Sequence, residues 1–431
     1  MRVRVPGDKS LTQRALILAT LAEGESRLSG LLFGGDVSST AGALRALGAE
    51  IPPIPSDGSR LRIQGLGLRG LRTPTTDLDM GNSGTGTRLL LGVLAGSGLT
   101  ATLTGDASLR SRPMARVTEP LSRMGARFEH GSESGRLPIT VFGAHPLRSL
   151  DWSSPVASAQ VKSAILLAGL TGRAFTRVTE PRRSRDHTER VFQRVGASVV
   201  SHQVAEGWRV ELRDPPGRIS PLDFEIPGDI SSAAFVLTFA ALGEGRPSIT
   251  VEGMGLNPTR SAFLGVLERM GARVTIERDT EDSCGEPVGD VTVHGEGLRA
   301  TTVESEEVPG LIDELPLVAV LGARAEGVTR ITGAEELRTK ECDRISALVD
   351  NLRGLGVAVE EHADGLEVEG ARRPLRGRIR AFGDHRIAMA FAVLGATGRN
   401  EIEIDEPGVA DVSFPGFWAL LDKLGRGGAG R

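Results

Sequence analysis

The chain has 431 residues, 39% of them hydrophobic, with 51 Lys and Arg against 55 Asp and Glu and a formal net charge of −4. That length exceeds what one compact core usually serves and points to two domains, and the near-balanced charge argues against a general nucleic-acid binder. No apolar run approaches the roughly 18 residues of a membrane span, no basic-then-apolar leader opens the chain, and Cys284 and Cys342 form neither a disulfide framework nor a metal quartet, so a soluble, cytoplasmic protein without metal is expected.

The first element is a short strand around Val3 and Val5 that meets Pro6-Gly7 and then a helix with Leu11, Ala15, Leu18 and Ala22 on its apolar face. Gly7-Asp8-Lys9-Ser10 looks like the end of a nucleotide-binding P-loop, but the first glycine is missing and an Asp separates Gly from Lys. Lys9 and Ser10 stand at the helix N-terminus, where free amides and the dipole favour an anion, and Arg14 follows Ser10 by one turn. The alternative is a capped surface helix with incidental basic residues.

Further along, helices ending in a common phrase recur: "ALRALGAEI" (43–51), "PLSRMGARFE" (120–129), "VFQRVGASVV" (191–200), "VLERMGARVTI" (266–276), "NLRGLGVAVE" (351–360) and a worn "LLDKLG" (420–425). Each full copy reads as a surface helix, a Gly stop and an alternating strand. The spacing of about 75 residues makes six units, three in each of two pseudo-symmetric α/β domains divided near Pro227-Gly228.

Between these copies lies a second kind of helix, in "DKSLTQRALILATLA", "GNSGTGTRLLLGVLAG" (81–96), "SAQVKSAILLAGL" (158–170), "GDISSAAFVLTFAAL" (228–242), "IDELPLVAVLGARAEG" (312–327) and "GDHRIAMAFAVLGATG" (383–398). All six are small and apolar on nearly every side, so they belong inside. Their polar residues crowd at the N-terminal end. Ordinary capping explains one such helix; six that also collect cations suggest an anion-filled cleft, placed between the domains.

Only four of the basic residues are lysines: Lys9, Lys162, Lys340 and Lys423. A chain that uses Arg almost everywhere keeps Lys either by chance or where a compact ammonium is needed. Lys9, Arg14, Arg88, Arg112, Lys162, Arg185, Lys340, Arg344 and Arg386 together call for a strongly anionic ligand such as phosphates plus carboxylates. Asp313 and Glu341 stand among them, as a general base and acid or as neutralising partners. Asp343 and Asp384 read as caps or ion-pair partners, and His385 as structural or chemical.

The stretches "PGDKSLTQRAL", "GNSGTGTRLLLG", "LRSRPM", "ASAQVKSAILLAGL", "RDHTE", "RTKECDRI", "GDHRIAMAF" and "SFPGF" together resemble the EPSP synthases (3-phosphoshikimate 1-carboxyvinyltransferases), in order from residue 3 to about 425, in class II-like wording. The resemblance implies a fold of two domains, each of three βαβαββ repeats, an inside-out α/β barrel. Its expected boundaries here are 14–227 for one domain and 1–13 with 228–431 for the other. It implies transfer of the enolpyruvyl group of phosphoenolpyruvate to the 5-hydroxyl of shikimate 3-phosphate, with release of phosphate, by a monomer that needs no cofactor and is open to the inhibitor glyphosate.

Residue by residue, the resemblance gives shikimate 3-phosphate to Lys9, Ser10, Arg14, Ser158, Ala159, Gln160, Arg185, Asp313 and Lys340. It gives phosphoenolpyruvate to Lys9, Asn82, Gly84, Arg112, Gln160, Arg344 and Arg386. Catalysis falls to Asp313 as base, Glu341 as acid and Lys9 at the leaving phosphate; His385 and Lys162 are supporting residues, the role of Lys162 left open. Two class I contacts do not transfer, because Glu336 and Val412-Ser413 stand where that class has Asn and Lys. A UDP-N-acetylglucosamine enolpyruvyltransferase would carry a reactive Cys in 106–114, which has none. An RNA 3′-phosphate cyclase or a non-enzymatic anion binder are more distant alternatives.

Overall fold

The structure is a computed structural model, and it describes every residue except Ser132, Glu244, Arg246, 280–282 and 428–431. The six apolar helices form as Lys9–Leu21, Gly84–Ala95, Ala159–Gly172, Ile230–Leu242, Leu315–Gly322 and His385–Gly395. Five begin on a side-chain cap, from Asp8, Ser83, Ser158, Asp229 and Asp384, each accepting a backbone N–H of the first turn. The sixth has Pro316 in its first turn and starts only at Leu315, so Asp313 precedes it. Beyond its first turn each is buried almost all round, and in the first helix every residue from Leu11 to Leu21 is buried. The surface-helix reading of the N-terminal segment is therefore incorrect: its opposite face, with Gln13, Leu16, Ile17 and Thr20, is buried as well.

Burying whole helices side by side requires close backbone approach, and small residues supply it. A methyl group added at Gly92 would lie 2.3 Å from the carbonyl oxygen of Ala164, and one at Gly96 would meet the N–H of Gly172 at 2.4 Å. Helices Gly84–Ala95 and Ala159–Gly172 thus touch backbone to backbone.

Around the helices lie, among the described residues, six small sheets. In three of them one chain stretch runs strand, buried helix, parallel strand, outer helix and an antiparallel pair, the βαβαββ order. The sheet of Leu78–Asp79, Thr100–Thr104, Arg127–His130 and Ile139–Phe142 is one; those built on Leu150–Ser153 and Thr302–Val303 are the others. Glycines at positive φ (Gly48, Gly125, Gly196, Gly271 and Gly356) end the outer helices, as the repeated phrase implied. The first repeat departs from the pattern. After "ALRALGAEI" the chain reaches Leu61 before forming a strand, because Pro52, Pro53 and Pro55 have no N–H to give a ladder. The last repeat pairs only Arg376–Ile379 with Glu401–Ile404 among the described residues.

The chain divides into two units, one of Gly7–Ile226 with Ser283–Glu286 among the described residues, the other of Met1–Pro6, Pro227 onward and the rest. Each has its own hydrophobic core and three of the six sheets. The boundaries differ from 14 and 227. Residues 7–13 go with the first unit, because Gly7 packs so closely on the Gly30 carbonyl that a Cβ would lie 1.8 Å from it, and Asp8 caps a helix buried there. Only the strand Arg2–Val3 stays with the second unit, parallel to Ile249–Gly255. The corresponding place in the first unit is filled by Asp223–Glu225, parallel to Glu23–Ser29. Among the described residues no helix is long and apolar enough to cross a membrane.

Candidate active-site residues

In the Gly7–Ile226 unit the anion-seeking residues gather at three buried-helix starts. Lys9 Nζ lies 2.9 Å from Asp36 Oδ2. The side-chain amide of Gln13 donates to the Asp36 carbonyl (3.2 Å), Thr40 Oγ1 (3.0 Å) and Ser83 Oγ (2.6 Å), so the first helix is tied to the cap of the second. At that cap Arg112 Nη2 donates to Asn82 Oδ1 at 2.6 Å, and Asn82 Nδ2 donates to Asp106 Oδ2 at 2.7 Å. Gly84 faces the same cations: a Cβ there would sit 2.9 Å from an Arg88 Nη1 and 3.1 Å from Arg112 Nη1. Gln160 joins through a 3.0 Å hydrogen bond to Thr85 Oγ1. Asn82, Gly84, Arg112 and Gln160 are thereby brought together, with glycine leaving the amides of a helix start uncovered.

Ser158 caps helix Ala159–Gly172, and Ser158, Ala159 and Gln160 are all partly open to solvent. Arg185 lies half-buried in the loop between Glu180 and His187, near enough to Arg14 to oppose its charge. Arg14 is buried and held by three hydrogen bonds. Its Nε donates to Thr188 Oγ1 (2.8 Å), one Nη to the Ser10 carbonyl (2.9 Å) and the other to Ser163 Oγ (3.1 Å). Burial pushes its guanidinium down to about 10, so it stays charged at neutral pH. Lys162 is wholly enclosed, between Glu180 and Glu189.

The second unit holds the other group. Asp313 lies among three guanidinium groups: Arg260 Nη1 is 3.7 Å from Oδ2, and Arg344 Nη1 and Arg386 Nε are each 3.8 Å from Oδ1. Arg386 also donates to the Asp313 carbonyl at 3.1 Å. Arg344 is almost fully buried, with Nε 2.7 Å from Asp384 Oδ2 and one Nη on Glu341; burial works against its charge, but Asp384 and Glu341 outweigh it and raise its pKa. Its remaining nitrogen, Nη1, finds no hydrogen-bond partner among the described residues. A buried donor without an acceptor is costly, and this one points the way to an anion. Burial alone would raise the pKa of Glu341, but Arg344, His385 and Arg386 together hold it well below the usual carboxylate range.

Lys340 pairs with Glu336, its ammonium 2.6 Å from that carboxylate. Glu336, at the position where Asn is expected in class I, is taken up by this ion pair, while Val412 is exposed at the end of the turn Pro407–Val412. Asp343 and Asp384 cap their helices and pair with Arg338 and Arg344, as their positions suggested. Both thiols are pushed up to about 12, Cys284 chiefly by burial and Cys342 by burial and Asp384, so neither is a ready nucleophile.

Sequence reasoning passed over Gln13, Asp36, Asp106, Glu180, Glu189, Arg260 and Glu314. Arg260 is nearly buried, with Nη2 2.7 Å from Ser231 Oγ, which in turn donates to the buried Glu314. The one signal for it is a lone Arg in "NPTR" just after an apolar strand, which is weak.

Residues 1–421 match the family described as EPSP synthase (3-phosphoshikimate 1-carboxyvinyltransferase). The chain is 48% identical over 423 residues to the 3-phosphoshikimate 1-carboxyvinyltransferase of Gloeobacter violaceus, covering 98% of this chain and 96% of that one. The structure superposes on the EPSP synthase of Acinetobacter baumannii with a TM-score of 0.87 at 38% identity, over 98% of this chain and 95% of the other. It also matches the enolpyruvyl transferase NikO of Streptomyces tendae with a TM-score of 0.76 over 99% and 94% of the two chains, at 19% identity, a likeness of fold.

Proposed function

Since the chain belongs to the EPSP synthase family, we propose that it joins the enolpyruvyl group of phosphoenolpyruvate to the 5-hydroxyl of shikimate 3-phosphate and releases phosphate. The observation that carries the reading is Asp313, a carboxylate 3.7–3.8 Å from three arginines, one of which keeps an unpartnered N–H. Cations so arranged suit an anionic substrate, and the carboxylate suits an alcohol that must lose its proton.

Two bonds form in the first step. The 5-oxygen attacks C2 of the enol while its proton passes to Asp313, and Glu341 gives a proton to the methylene carbon. In the second step the Glu341 carboxylate left by the first takes back a methyl proton, the C2–O bond to phosphate breaks, the enol double bond returns, and Asp313 gives its proton up to the departing phosphate. Lys9 meets the charge that appears on the departing phosphate. In the ligand-free protein Glu341 is an anion, held so by Arg344, His385 and Arg386. A bound carboxylate and phosphate would engage Arg344 and Arg386 and relax that hold, leaving burial to favour the protonated acid the reaction needs. Arginines facing a substrate anion count most where water is excluded.

Phosphoenolpyruvate is assigned to Asn82, Gly84, Arg112, Gln160, Arg344, Arg386 and Lys9. Shikimate 3-phosphate is assigned to Lys9, Ser10, Arg14, Ser158, Ala159, Gln160, Arg185, Asp313 and Lys340. Gly84 leaves space beside Arg112 for glyphosate. Soluble polyanionic substrates fit a cytoplasmic monomer working without metal or cofactor. Phosphate release is expected with phosphoenolpyruvate only when shikimate 3-phosphate is the acceptor. Release with UDP-N-acetylglucosamine instead would overturn the assignment.

A further inference from the structure

We propose that Lys162, Glu180 and Glu189 form a positioning network, which locks the Ser158–Gln160 helix start against the 181–186 loop and so sets the affinity for the acceptor's phosphate. The proposal rests on the reading that these two segments, with Ser158 and Arg185, hold that phosphate. No member of the network touches substrate; each acts through the backbone it fixes.

Lys162 is the one cation of helix Ala159–Gly172 and is completely buried; its Nζ lies 2.8 Å from Glu189 Oε1 and 3.1 Å from Glu180 Oε2 as ion pairs and donates to the Ser184 carbonyl at 3.4 Å. A compact ammonium can sit between two carboxylates and a carbonyl in so small an enclosure, an arrangement the flat fork of arginine would not fit. In a chain with four lysines that choice has a stereochemical reason.

Glu180 is the hinge of the arrangement. It ends strand Thr176–Glu180 and is buried, and its two oxygens face in different directions. Oε1 accepts the backbone N–H of Ser158 at 2.7 Å, fixing the residue that caps helix Ala159–Gly172. Oε2 accepts from Ser184 Oγ at 2.7 Å, in the loop that carries Arg185. Glu189 stands one turn into helix His187–Arg194, beside Thr188, which anchors Arg14 and Ser163. One carboxylate thus grips both segments at once, and the buried lysine holds that carboxylate in place.

Stability is a poor explanation for the cluster. Two carboxylates and one ammonium taken from water cost more than an apolar trio of the same volume would, and neither oxygen of Glu189 has a hydrogen-bond partner among the described residues. Burial pushes Glu189 upward, and Lys162 only partly opposes it. A group of charges kept at such a cost fixes geometry.

The test is a graded series. Glu180→Gln keeps an acceptor for Ser158 and should raise KM for shikimate 3-phosphate about threefold; Glu180→Ala and Lys162→Met should raise it tenfold or more. In all three, kcat and KM for phosphoenolpyruvate stay within about twofold of wild type. Ser158→Ala and Arg185→Ala serve as direct-contact controls with the same KM signature. If the controls raise KM but the Glu180 and Lys162 variants do not, the network idea fails and the phosphate reading stands. If the controls leave KM unchanged, the phosphate reading fails and takes the proposal with it. A parallel loss of kcat and both affinities would mark a merely structural cluster. Glu180→Gln, nearly isosteric, keeps the question answerable if Lys162→Met does not fold.

Discussion

Asp313→Asn replaces a carboxylate by an amide of the same shape, so the change is one of charge and basicity. The carboxylate lies 3.7 Å from Arg260 and 3.8 Å from Arg344 and Arg386, beyond hydrogen-bond length, so the attraction is mainly through space. At an effective dielectric near 20, each such pair is worth roughly 4 kcal/mol before desolvation and before the other nearby carboxylates are counted. Those carboxylates are close: Arg344 also holds Asp384 and Glu341, and Arg260 also reaches Glu314. The net loss on folding is therefore a small part of the gross sum, and the variant should fold. Affinity for phosphoenolpyruvate should hold or improve, because a negative charge has left the surroundings of an anion. Turnover should fall on the order of 10²–10⁴-fold, since the amide cannot take the hydroxyl proton, which is about 3–5 kcal/mol in the barrier. Initial rates of phosphate release give kcat, and calorimetric titration gives the dissociation constants. A kcat within about threefold of wild type would refute the base assignment and leave Asp313 as a neutralising partner.

Gly84→Ala would set a methyl group 2.9 Å from Arg88 Nη1 and 3.1 Å from Arg112 Nη1, both flexible ends that can yield. It should weaken glyphosate more than phosphoenolpyruvate, read as a larger rise in inhibition constant than in KM; equal affinities in the variant and wild type would remove Gly84 from the site. Gly92→Ala gains up to about 1 kcal/mol of helix propensity but forces a Cβ to 2.3 Å from the Ala164 carbonyl, so a net loss of at least about 1 kcal/mol is expected in denaturant unfolding. Gly42→Ala, in helix Gly35–Ala46 with nothing within 4 Å of the added methyl, should instead stabilise by about 0.5–1 kcal/mol; the reverse order would contradict the packing described. Glu341 has a depressed pKa when folded, so its ion pairs stabilise above the unfolded value of 4.5 and fade as pH falls toward the folded one. Glu341→Gln should accordingly lower Tm at pH 7, with a gap that begins to close only below about pH 4.5 and narrows further as pH falls toward the folded value; a gap that stays constant into acid would disprove the depression.

The six-fold repeat was legible because it rests on local chemistry. Gly48, Gly125, Gly196, Gly271 and Gly356 end their helices at positive φ whatever surrounds them, and all-round apolarity has few homes but a core. The prolines at 52, 53 and 55 were equally visible, yet the strength of the repeated phrase hid their effect. Arg14 shows a different limit. Its spacing from Ser10 was right, but a cation on a helix gives no hint of the Ser163 and Thr188 hydroxyls that draw it inward from more than a hundred residues away. Asp36, Glu180 and Arg260 were missed for the same reason. Each becomes notable only through a distant partner, and one strand-end Glu looks like any other until the fold closes around it.

The exchanged first strands have a practical meaning for dissection. Arg2–Val3 completes the sheet of Ile249–Gly255, although more than two hundred residues separate them, and Asp223–Glu225 completes that of Glu23–Ser29. Cutting the chain once at residues 226–227 would therefore not yield two finished halves. The fragment from Pro227 onward would carry an open strand edge along Thr250 and Val251, a template for any extended peptide. A short synthetic strand bearing the first six residues is its native complement, so the protein holds within one chain the parts of a split-peptide reconstitution system.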